Sequence, residues 1–374
     1  MFYFIPGPYT PNTASTNRWL GYLRFFSESS IETHAVFFRR NNEGTSIDSM
    51  PHIHVKNYWE HFYFDKGLLL YVSLFLYYIH FWFHLKKGDV IYCYEQADVW
   101  KLFLKNGVKV YAEYTEHPDV VGLGGKFFHT SPKQFKEKCK KLSGIFVIST
   151  ALKDYFVGMG VDGRKVHIIN MIVDEKRFDG LEKDVHIEPY IAYCGTVSNN
   201  KDGVDDLIKA FALFSKHHPE VKLYIIGKIQ TNNDALNNIS LIEKLGIKDK
   251  VVLTGIVPSK DMPQLLKNAI ILALDRPDNI QAQYGFPTKL GEYLMTANPV
   301  VVTNVGDIPL FLKDGISAFI SAPNDCQYFS CKLCEAYENQ ILSRMIGLDG
   351  KKTAEKHFSY AIETKKMAII LGIY

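Results

Sequence analysis

The stretch YGFPTKLGEYLMTANPVVVTN, Tyr284 to Asn304, contains the pattern that decides the predicted fold. An apolar run, Ile270 to Leu274, precedes it, and it ends in the residues Pro-Val-Val-Val-Thr followed by an asparagine. Pro287 suits the first turn of a helix, because the N–H that proline lacks would have no partner there. The stretch and its surroundings therefore predict a strand, a loop, a helix and a second strand, which is the repeating unit of a parallel α/β sheet.

The same alternation of short apolar runs and helix-length segments extends over the 374 residues and restarts near the middle of the chain. It predicts two successive α/β domains with parallel sheets covered on both faces. We place the first domain at 1–176, a charged linker at 177–190, the second domain at 191–355 and a terminal helix at 356–374, which is expected to pack back toward the first domain. Ligands of open sheets bind at the carboxyl ends of the strands, so we expect the site in a cleft between the domains.

The composition is that of an ordinary globular protein, with 47% hydrophobic and 22% charged residues. A net charge of +3 is too small to indicate nucleic-acid binding, although it suits a diphosphate ligand or an anionic lipid surface. Six scattered cysteines indicate reduced thiols in the cytoplasm rather than a disulfide scaffold. Cys331 and Cys334 form a CxxC pair without a second ligand pair, so we interpret them as thiols of a helix and expect no metal. The first residues do not have the pattern of a signal peptide.

The segment from Leu68 to Leu85 is the one stretch with a membrane-like composition. It is rich in aromatic residues, and Lys86 and Lys87 follow it directly. Three interpretations are open: a helix buried against the sheet, an amphipathic helix at a membrane surface, and a membrane span. The strand-like run after the segment favours the buried helix, and peripheral membrane contact remains the main alternative.

The opening stretch also carries candidate binding residues. Lys289 and Glu292 lie three residues apart and therefore share one face of the predicted helix, and Gly285 allows a close approach of the backbone to a ligand. A lysine can hold a phosphate, and a carboxylate can accept hydrogen bonds from two vicinal hydroxyls, as in ribose recognition. The alternative is that Lys289 and Glu292 form only an exposed ion pair on the helix surface.

This combination resembles the retaining glycosyltransferases of family 4, which have the GT-B fold of two facing Rossmann-like domains. The hallmark of that family is an acidic residue, seven others and a glutamate, followed by Pro-Val-Val. The stretch keeps Gly285, Phe286, Glu292, Pro299, Val300 and Val301 of this pattern. It departs from the pattern at Tyr284, which stands where the first acidic residue is usual.

The resemblance implies roles for the residues of this stretch. Glu292 would bind the ribose of a nucleotide-sugar donor, and Lys289 would contact its phosphates. The backbone amides around Phe286, Pro287 and Thr288 would contact the transferred sugar and the diphosphate. Tyr284 would replace the usual acid through its hydroxyl, or the donor sugar or the level of activity would differ from the rest of the family.

A second motif, YIAYCGTVSNNKDGVDDLIKAF, resembles the start of the donor-binding domain in the same family. Gly195 and Lys201 match its glycine and its lysine, and Lys201 would contact the donor diphosphate. Thr196 stands where an arginine often accompanies that lysine. Later in the domain, the backbone near Gly255 and Ile256 would contact the nucleotide base.

In the first domain the resemblance is looser. Glu116 and His117 directly follow a predicted strand, where the family often has a histidine that faces the donor sugar. His117 would orient the sugar or stabilise the positive charge that develops at the anomeric carbon. Gly7 fits the family's glycine loop beside the acceptor and the phosphates, and Arg18 is either a phosphate ligand or a surface residue.

The resemblance thus implies a retaining, metal-independent glycosyltransferase that moves a sugar from a nucleotide diphosphate to a hydroxyl of a glycan or a lipid-linked glycan. Catalysis would depend on His117, Glu292 and Lys201, without a cofactor, and the departing phosphate would take the acceptor proton. The expected location is the cytoplasm, with peripheral contact to the inner face of the membrane. The alternatives are a nucleotide-sugar epimerase of the same fold and a non-catalytic, membrane-associated scaffold.

Overall fold

The computed structural model describes residues 1–7, 9–10, 13–38, 47–58, 68–94, 99–121, 131–184, 186–228 and 233–374. The chain divides into two compact units. The first comprises Met1–Asn170 together with Tyr360–Tyr374, and the second comprises Met171–Ser359. Each unit contains one parallel sheet, so the prediction of two α/β domains is confirmed.

The strands of the described residues are β1 (Phe2–Ile5), β2 (Thr33–Phe37), β3 (Ile53–Asn57), β4 (Val90–Tyr94), β5 (Lys109–Tyr114), β6 (Gly144–Val147), β7 (Val166–Ile168), β8 (Tyr190–Cys194), β9 (Lys222–Ile226), β10 (Val251–Gly255), β11 (Ile271–Leu274), β12 (Val300–Thr303) and β13 (Phe319–Ser321). The helices are α1 (Ala14–Glu28), α2 (Leu68–His84), α3 (Pro118–Val121), α4 (Pro132–Cys139), α5 (Thr150–Gly158), α6 (Asn199–Asp202), α7 (Val204–Phe214), α8 (Asn233–Lys244), α9 (Met262–Asn268), α10 (Ile280–Tyr284), α11 (Lys289–Met295), α12 (Ile308–Phe311), α13 (Cys326–Glu338), α14 (Gln340–His357) and α15 (Tyr360–Leu371).

The sheet of the first unit has seven strands in the order β3-β2-β1-β4-β5-β6-β7. Its neighbouring strands are all parallel, and the central strand β4 is buried along its whole length. Such continuous burial is typical of a parallel strand that helices cover on both faces. The edge strand β3 was not predicted from the sequence. Its sequence IHVKN contains only two apolar residues, Ile53 and Val55, and the strand is only partly buried.

The sheet of the second unit has six strands in the order β10-β9-β8-β11-β12-β13, again all parallel. The order reverses between β8 and β11, the two central strands. In sheets of this topology the ligand crevice lies outside the carboxyl ends of the strands at such a reversal. The carboxyl ends of β8 and β11 are therefore the first place to look for a site in this unit.

The last helix, α15, belongs to the first unit and lies against α1. The hydroxyl of Tyr360 donates to Glu28 at 2.8 Å, and that of Tyr111 donates to the carbonyl of Ile370 at 3.3 Å. The units divide after Asn170 and before Tyr360, whereas the sequence pattern placed the boundaries at 176 and 355. The segment predicted as a linker at 177–190 lies within the second unit, and it includes the end of a 3-10 helix, Glu175–Phe178.

The aromatic helix α2 has one buried and one exposed face. Leu74, Tyr78 and Phe81 are buried, and Phe81 and Tyr78 contact the ring of Phe38. The opposite face exposes the apolar residues Leu69, Val72, Phe75, Leu76, Ile79 and Phe83. Among the described residues, no helix is long and apolar enough to cross a membrane. The favoured interpretation, a helix buried against the sheet, therefore describes only one of the two faces of α2.

Candidate active site

The carboxyl end of β8 is a point where charged side chains of the second unit converge. The strand ends at Cys194, and Gly195 follows with a φ of +153°, a backbone region that favours glycine. The Nζ atom of Lys289, the first residue of α11, passes directly over Gly195. A Cβ at position 195 would lie 2.3 Å from that nitrogen. The two motifs that the sequence singled out are therefore in contact in the folded unit.

Lys289 is held in place by a buried carboxylate, Asp202. Its ammonium donates to Asp202 at 2.6 Å and to the hydroxyl of Tyr193 at 3.1 Å. Tyr193 also donates to Asp202, at 2.8 Å, and Arg276 lies 3.8 Å from the same carboxylate. Burial alone would raise the pKa of Asp202, but the charges of Lys289 and Arg276 outweigh it and hold that pKa below its ordinary value. Asp202 is therefore an ionised anchor for the predicted phosphate ligand.

Glu292, one turn further along α11, pairs with an arginine that the sequence had not singled out. Nη1 of Arg177 makes a short hydrogen bond to Oε1 of Glu292. Nη2 of the same arginine donates to the carbonyl of Ser259 at 2.9 Å. The side chains of Arg177 and Glu292 are 24% and 20% exposed, so water or a ligand can reach the pair.

These two pairs decide between the interpretations left open for Lys289 and Glu292. Each side chain has a different partner of opposite charge, Asp202 for Lys289 and Arg177 for Glu292. Both partners come from outside α11 and both approach the carboxyl edge of the sheet. The alternative of a simple ion pair between Lys289 and Glu292 on the helix surface is wrong.

The thiol beside these charges is not a nucleophile. Burial raises the pKa of Cys194 to about 12, so this side chain stays protonated at neutral pH. Its backbone N–H donates to the hydroxyl of Tyr293 at 2.6 Å, which connects the end of β8 to α11. Cys194 therefore has a structural position at the base of the site.

The start of α11 differs in detail from the predicted helix start. The helix begins at Lys289, with Thr288 as its N-cap, rather than at Pro287. The ring of Phe286 is buried against Phe311 and Phe358, so only its backbone is available to a ligand. In the same segment, Tyr284 ends α10 and is half-buried, whereas Gly285 and Pro287 are buried.

The other predicted donor residues surround the same edge. Thr196 is exposed, and its carbonyl oxygen lies 2.8 Å from the hydroxyl of Tyr193. Lys201 is half-buried in α6, and its carbonyl accepts from Arg276 at 3.4 Å. Gly255 ends β10 with a φ of +72°, and Ile256 beyond it is 67% exposed. The contact of this backbone with a nucleotide base remains a prediction.

Asp275 follows β11 at the same edge, and its carboxyl group is deeply buried. It is 2% exposed, and within the described part of the chain its Oδ2 atom has no hydrogen-bond partner. Burial, reinforced by Asp206 and Asp205, raises the pKa of Asp275 well above its ordinary value. The environment of Asp275 therefore favours the neutral carboxylic acid, in contrast to that of Asp202.

In the first unit, Arg18 does not fit either role predicted for it. Its guanidinium is 3% exposed and donates to Oε1 of Glu113 at 2.7 and 3.0 Å. It also donates to the carbonyls of Asn170 at 2.7 Å and Ile169 at 2.9 Å. The glutamate is buried as well and accepts from Tyr22 at 3.0 Å. Arg18 is a buried structural arginine rather than a phosphate ligand or a surface residue, because its donors are already used inside the core.

The remaining predicted residues of the first unit lie in its loops. His117 follows β5 and is 5% exposed, with its ring 4.4 Å from that of Tyr155. Nδ1 of His117 accepts from the backbone N–H of Asp119 at 3.2 Å. Glu116 beside it is half-buried, and Gly7 is buried in the loop after β1. A role of His117, Glu116 or Gly7 toward a sugar remains a prediction.

Sequence reasoning missed Arg177, Asp202 and Tyr193 in the second unit. Asp202 directly follows the predicted ligand Lys201, and Tyr193 lies in the strand before Gly195, so both were inside the quoted motif. Their side chains were overlooked because the family resemblance assigns roles to the neighbouring positions only. Arg177 is far from Glu292 in the sequence, and no sequence pattern indicated that the two side chains would pair.

One group of residues in the described part of the chain has ligand atoms close enough to hold a metal ion. It consists of His218, Cys334 and Glu338, whose ligand atoms lie within 4.8 Å of one another. A hydrogen bond of 3.1 Å between His218 and Glu338 already accounts for two of them. His218 precedes β9, so the group lies at the amino end of the sheet, away from the site at the carboxyl edge.

Comparisons with known proteins give relatives of this chain in sequence and in fold. The family described as Glycosyl transferases group 1 matches residues 188–339, which include both donor motifs. Mannosylfructose-phosphate synthase of Agrobacterium fabrum is 22% identical over 241 residues, which cover 60% of this chain and 51% of that protein. The chain thus matches about half the length of this curated relative.

Two solved structures match the fold over nearly the whole chain. Anabaena Alr3699/HepE, in complex with UDP and glucose, has a TM-score of 0.76 at 15% identity and covers 99% of both chains. A glycosyltransferase from Rickettsia africae has a TM-score of 0.76 at 16% identity, covering 100% of this chain and 98% of that one. The resemblance inferred from the sequence is confirmed: the chain has the GT-B fold, and its residues 188–339 match the family described as Glycosyl transferases group 1.

Proposed function

We propose that this protein is a retaining, metal-independent glycosyltransferase that transfers a sugar from a UDP-sugar to a hydroxyl of a glycan or a lipid-linked glycan. The choice of UDP rests on the similarity to Anabaena Alr3699/HepE, whose solved structures include complexes with UDP and with UDP-glucose.

The observation that carries the proposal is the position of Lys289 over Gly195, with Glu292 one turn further along the same helix, at the point where the strand order reverses. A diphosphate needs cations and backbone N–H groups, and a ribose needs an acceptor for its hydroxyls. Lys289 supplies a cation that is already oriented, since Asp202 and Tyr193 accept two of its three N–H groups. Within the described ranges no other acceptor contacts the third, which can donate to a phosphate oxygen.

In the proposed reaction the bond between the anomeric carbon and the diphosphate oxygen breaks, and a bond to the acceptor oxygen forms on the same face of the sugar. Negative charge grows on the diphosphate, and Lys289 and Lys201 stabilise it, because fixed cations at a partly buried site need little reorganisation. The acceptor proton passes to the departing phosphate oxygen. A separate protein base is then unnecessary, and His117 has the role of stabilising the developing positive charge on the sugar.

Two other functions that the sequence allows are alternatives to this proposal. A nucleotide-sugar epimerase of the same fold would use the same donor residues and would need no acceptor. A non-catalytic scaffold would have no use for Lys289 held over Gly195 by a buried carboxylate. The position of Tyr284, where the family pattern has an acid, is the feature on which the scaffold interpretation depends.

The test is binding of UDP, GDP, ADP and dTDP, and of their sugar conjugates, measured by isothermal titration calorimetry. We expect selective binding of UDP and of one or more UDP-sugars, lost in Lys289→Met. The matched control is Lys332→Met, which removes another partly buried lysine of the second unit that pairs with acidic residues, Asp314 and Glu335. Absence of binding to every nucleotide would favour the scaffold, and conversion of the sugar without an acceptor would favour the epimerase.

We also propose that the exposed face of α2 contacts an anionic membrane surface, which would bring the enzyme to a lipid-linked acceptor. Phe75 and Phe83 are 52% and 70% exposed on this face. No acidic residue occurs between Leu68 and Gly88, and Lys86 and Lys87 follow the helix. An apolar face combined with flanking lysines is the pattern of a helix that lies in the interface and is attracted by anionic lipid.

Sedimentation with vesicles tests this contact. We expect binding to vesicles of phosphatidylcholine with phosphatidylglycerol, weaker binding to phosphatidylcholine alone, and loss of binding in Phe75→Gln/Phe83→Gln. Val157→Gln is the control, because Val157 is an exposed apolar residue on a different helix, α5. Equal binding of the double variant and the wild type would show that α2 does not contact the membrane.

A further inference from the structure

We propose that Arg177 is a positioning residue for donor recognition: it fixes the carboxylate of Glu292 so that the remaining oxygen lone pairs meet the ribose hydroxyls. This inference rests on the proposed function, because it assumes that Glu292 binds a nucleotide ribose. Arg177 lies outside both donor motifs. The inference explains why its guanidinium pairs with Glu292, although the carboxylate of Glu292 would also have to bind the ribose.

Arg177 holds one of the two oxygens of the Glu292 carboxylate. Arg177 donates to Oε1 of Glu292, whereas no hydrogen bond to Oε2 occurs within the described part of the chain. An ionised carboxylate offers about four lone-pair positions. Arg177 therefore leaves room for two vicinal hydroxyls while it prevents rotation of the carboxylate about its last torsion angle.

Arg177 is itself held at a second point. Its Nη2 donates to the carbonyl of Ser259 at 2.9 Å and lies 3.4 Å from the hydroxyl of the same serine. Ser259 lies in the loop after β10, a few residues beyond Gly255 and Ile256, which are the predicted contacts of the base. One planar guanidinium thus connects the loop that would hold the base to the glutamate that would hold the ribose, and its fork geometry suits such a bridge better than a lysine would.

A purely structural function of Arg177 makes different predictions. A structural clamp between the 3-10 helix Glu175–Phe178 and α11 would affect the stability of the unit, and its removal would weaken all ligands equally. A positioning residue would affect the discrimination between ligands that differ only in a ribose hydroxyl. A third outcome is that Arg177 competes with the ribose for Glu292, in which case its removal would tighten binding.

The experiment compares the affinities of UDP and 2′-deoxy-UDP by calorimetry for the wild type, Arg177→Met, Arg177→Lys and Glu292→Gln. For the wild type we expect UDP to bind about tenfold more tightly than the deoxy analogue, the effect of one well-placed hydrogen bond. The ratio should fall close to one in Arg177→Met and in Glu292→Gln, with partial recovery in Arg177→Lys. The double variant Arg177→Met/Glu292→Gln should lose no further discrimination.

The control is Arg164→Met, which removes an arginine paired with a carboxylate, Asp162, at the surface of the first unit. It should keep the ratio of the wild type. A wild type that binds no nucleotide would overturn the proposed function and this inference together. A wild type that discriminates, combined with an unchanged ratio or tighter UDP binding in Arg177→Met, would overturn the inference alone.

Discussion

The two units each contain an arginine paired with a glutamate, and the two pairs differ in burial. In the first unit, Arg18 and Glu113 are fully enclosed, and the arginine also donates to two backbone carbonyls. In the second unit, Arg177 and Glu292 are about one fifth exposed. The same residue types therefore form a core contact in one place and an accessible site in the other, and accessibility rather than residue identity separates the two.

The physical reason is the cost of leaving a charge unpaired away from water. Removing either partner of a buried pair is costly, because the other charge then stays unpaired in the low dielectric of the core. A partly exposed pair can exchange one partner for a ligand or for water at smaller cost. The following substitutions test this contrast, beginning with the largest expected effect.

Arg18→Met should cause the largest loss of stability. Glu113 would remain as a buried charge without its cation, which typically costs about 3–5 kcal/mol of unfolding free energy. Urea denaturation of the variant measures this loss. Arg18→Met/Glu113→Gln should recover a large part of it, and a single variant as stable as the wild type would contradict the contrast between the two pairs.

Glu292→Gln should weaken UDP binding about 10- to 100-fold, the typical effect of removing a charged acceptor from its hydrogen bonds. Its stability should change by about 1 kcal/mol or less, because the pair with Arg177 is accessible to water. Calorimetry and urea denaturation of the same preparation measure both quantities. A large loss of stability without a change in affinity would show that this pair is structural like that of Arg18.

Gly195→Ala should displace Lys289 with a moderate effect on binding. The new Cβ would lie 2.3 Å from Nζ of Lys289 and 3.0 Å from the hydroxyl of Tyr193. The lysine end is flexible and can move, so we expect about a tenfold loss in UDP affinity with a small loss of stability. Gly246→Ala is the control for backbone strain, because Gly246 also has a positive φ but has open space around it. An equal effect on affinity in both variants would contradict the close contact at Gly195.

Asp275→Asn should have the smallest effect, with a defined pH dependence. The folded pKa of Asp275 lies well above its ordinary value of 3.8 because of burial, so between these two values the unfolded chain releases a proton that the folded chain keeps. The contribution of Asp275 therefore lowers the stability of the wild type as the pH rises above about 4. Asp275→Asn should lack this pH-dependent contribution. Thermal denaturation should show the variant gaining on the wild type as the pH rises above about 4; a constant difference would contradict the raised pKa of Asp275.

The sequence predicted most of the fold and part of the site. The alternation of apolar runs and helix-length segments identified both parallel sheets, and the motifs around Gly195 and Glu292 identified the edge at which the charges converge. The edge strand β3 was missed because it is only half-buried, and the terminal segment at 356–374 was treated as one helix although α14 ends at His357 and α15 begins at Tyr360. The role of Arg18 could not be predicted, because its burial depends on Glu113, which is distant in the sequence.

What the sequence determined by itself is the class of structure and the chemical groups available: two parallel α/β domains, a lysine and a glutamate on one helical face, and a glycine at the end of a strand. These follow from local periodicity and from the backbone freedom of single residues. Only the tertiary structure decided which partner each charge has, Asp202 for Lys289 and Arg177 for Glu292. Ion pairs between distant segments form because burial makes an unpaired charge costly, and burial is a property of the packed chain that no local pattern contains.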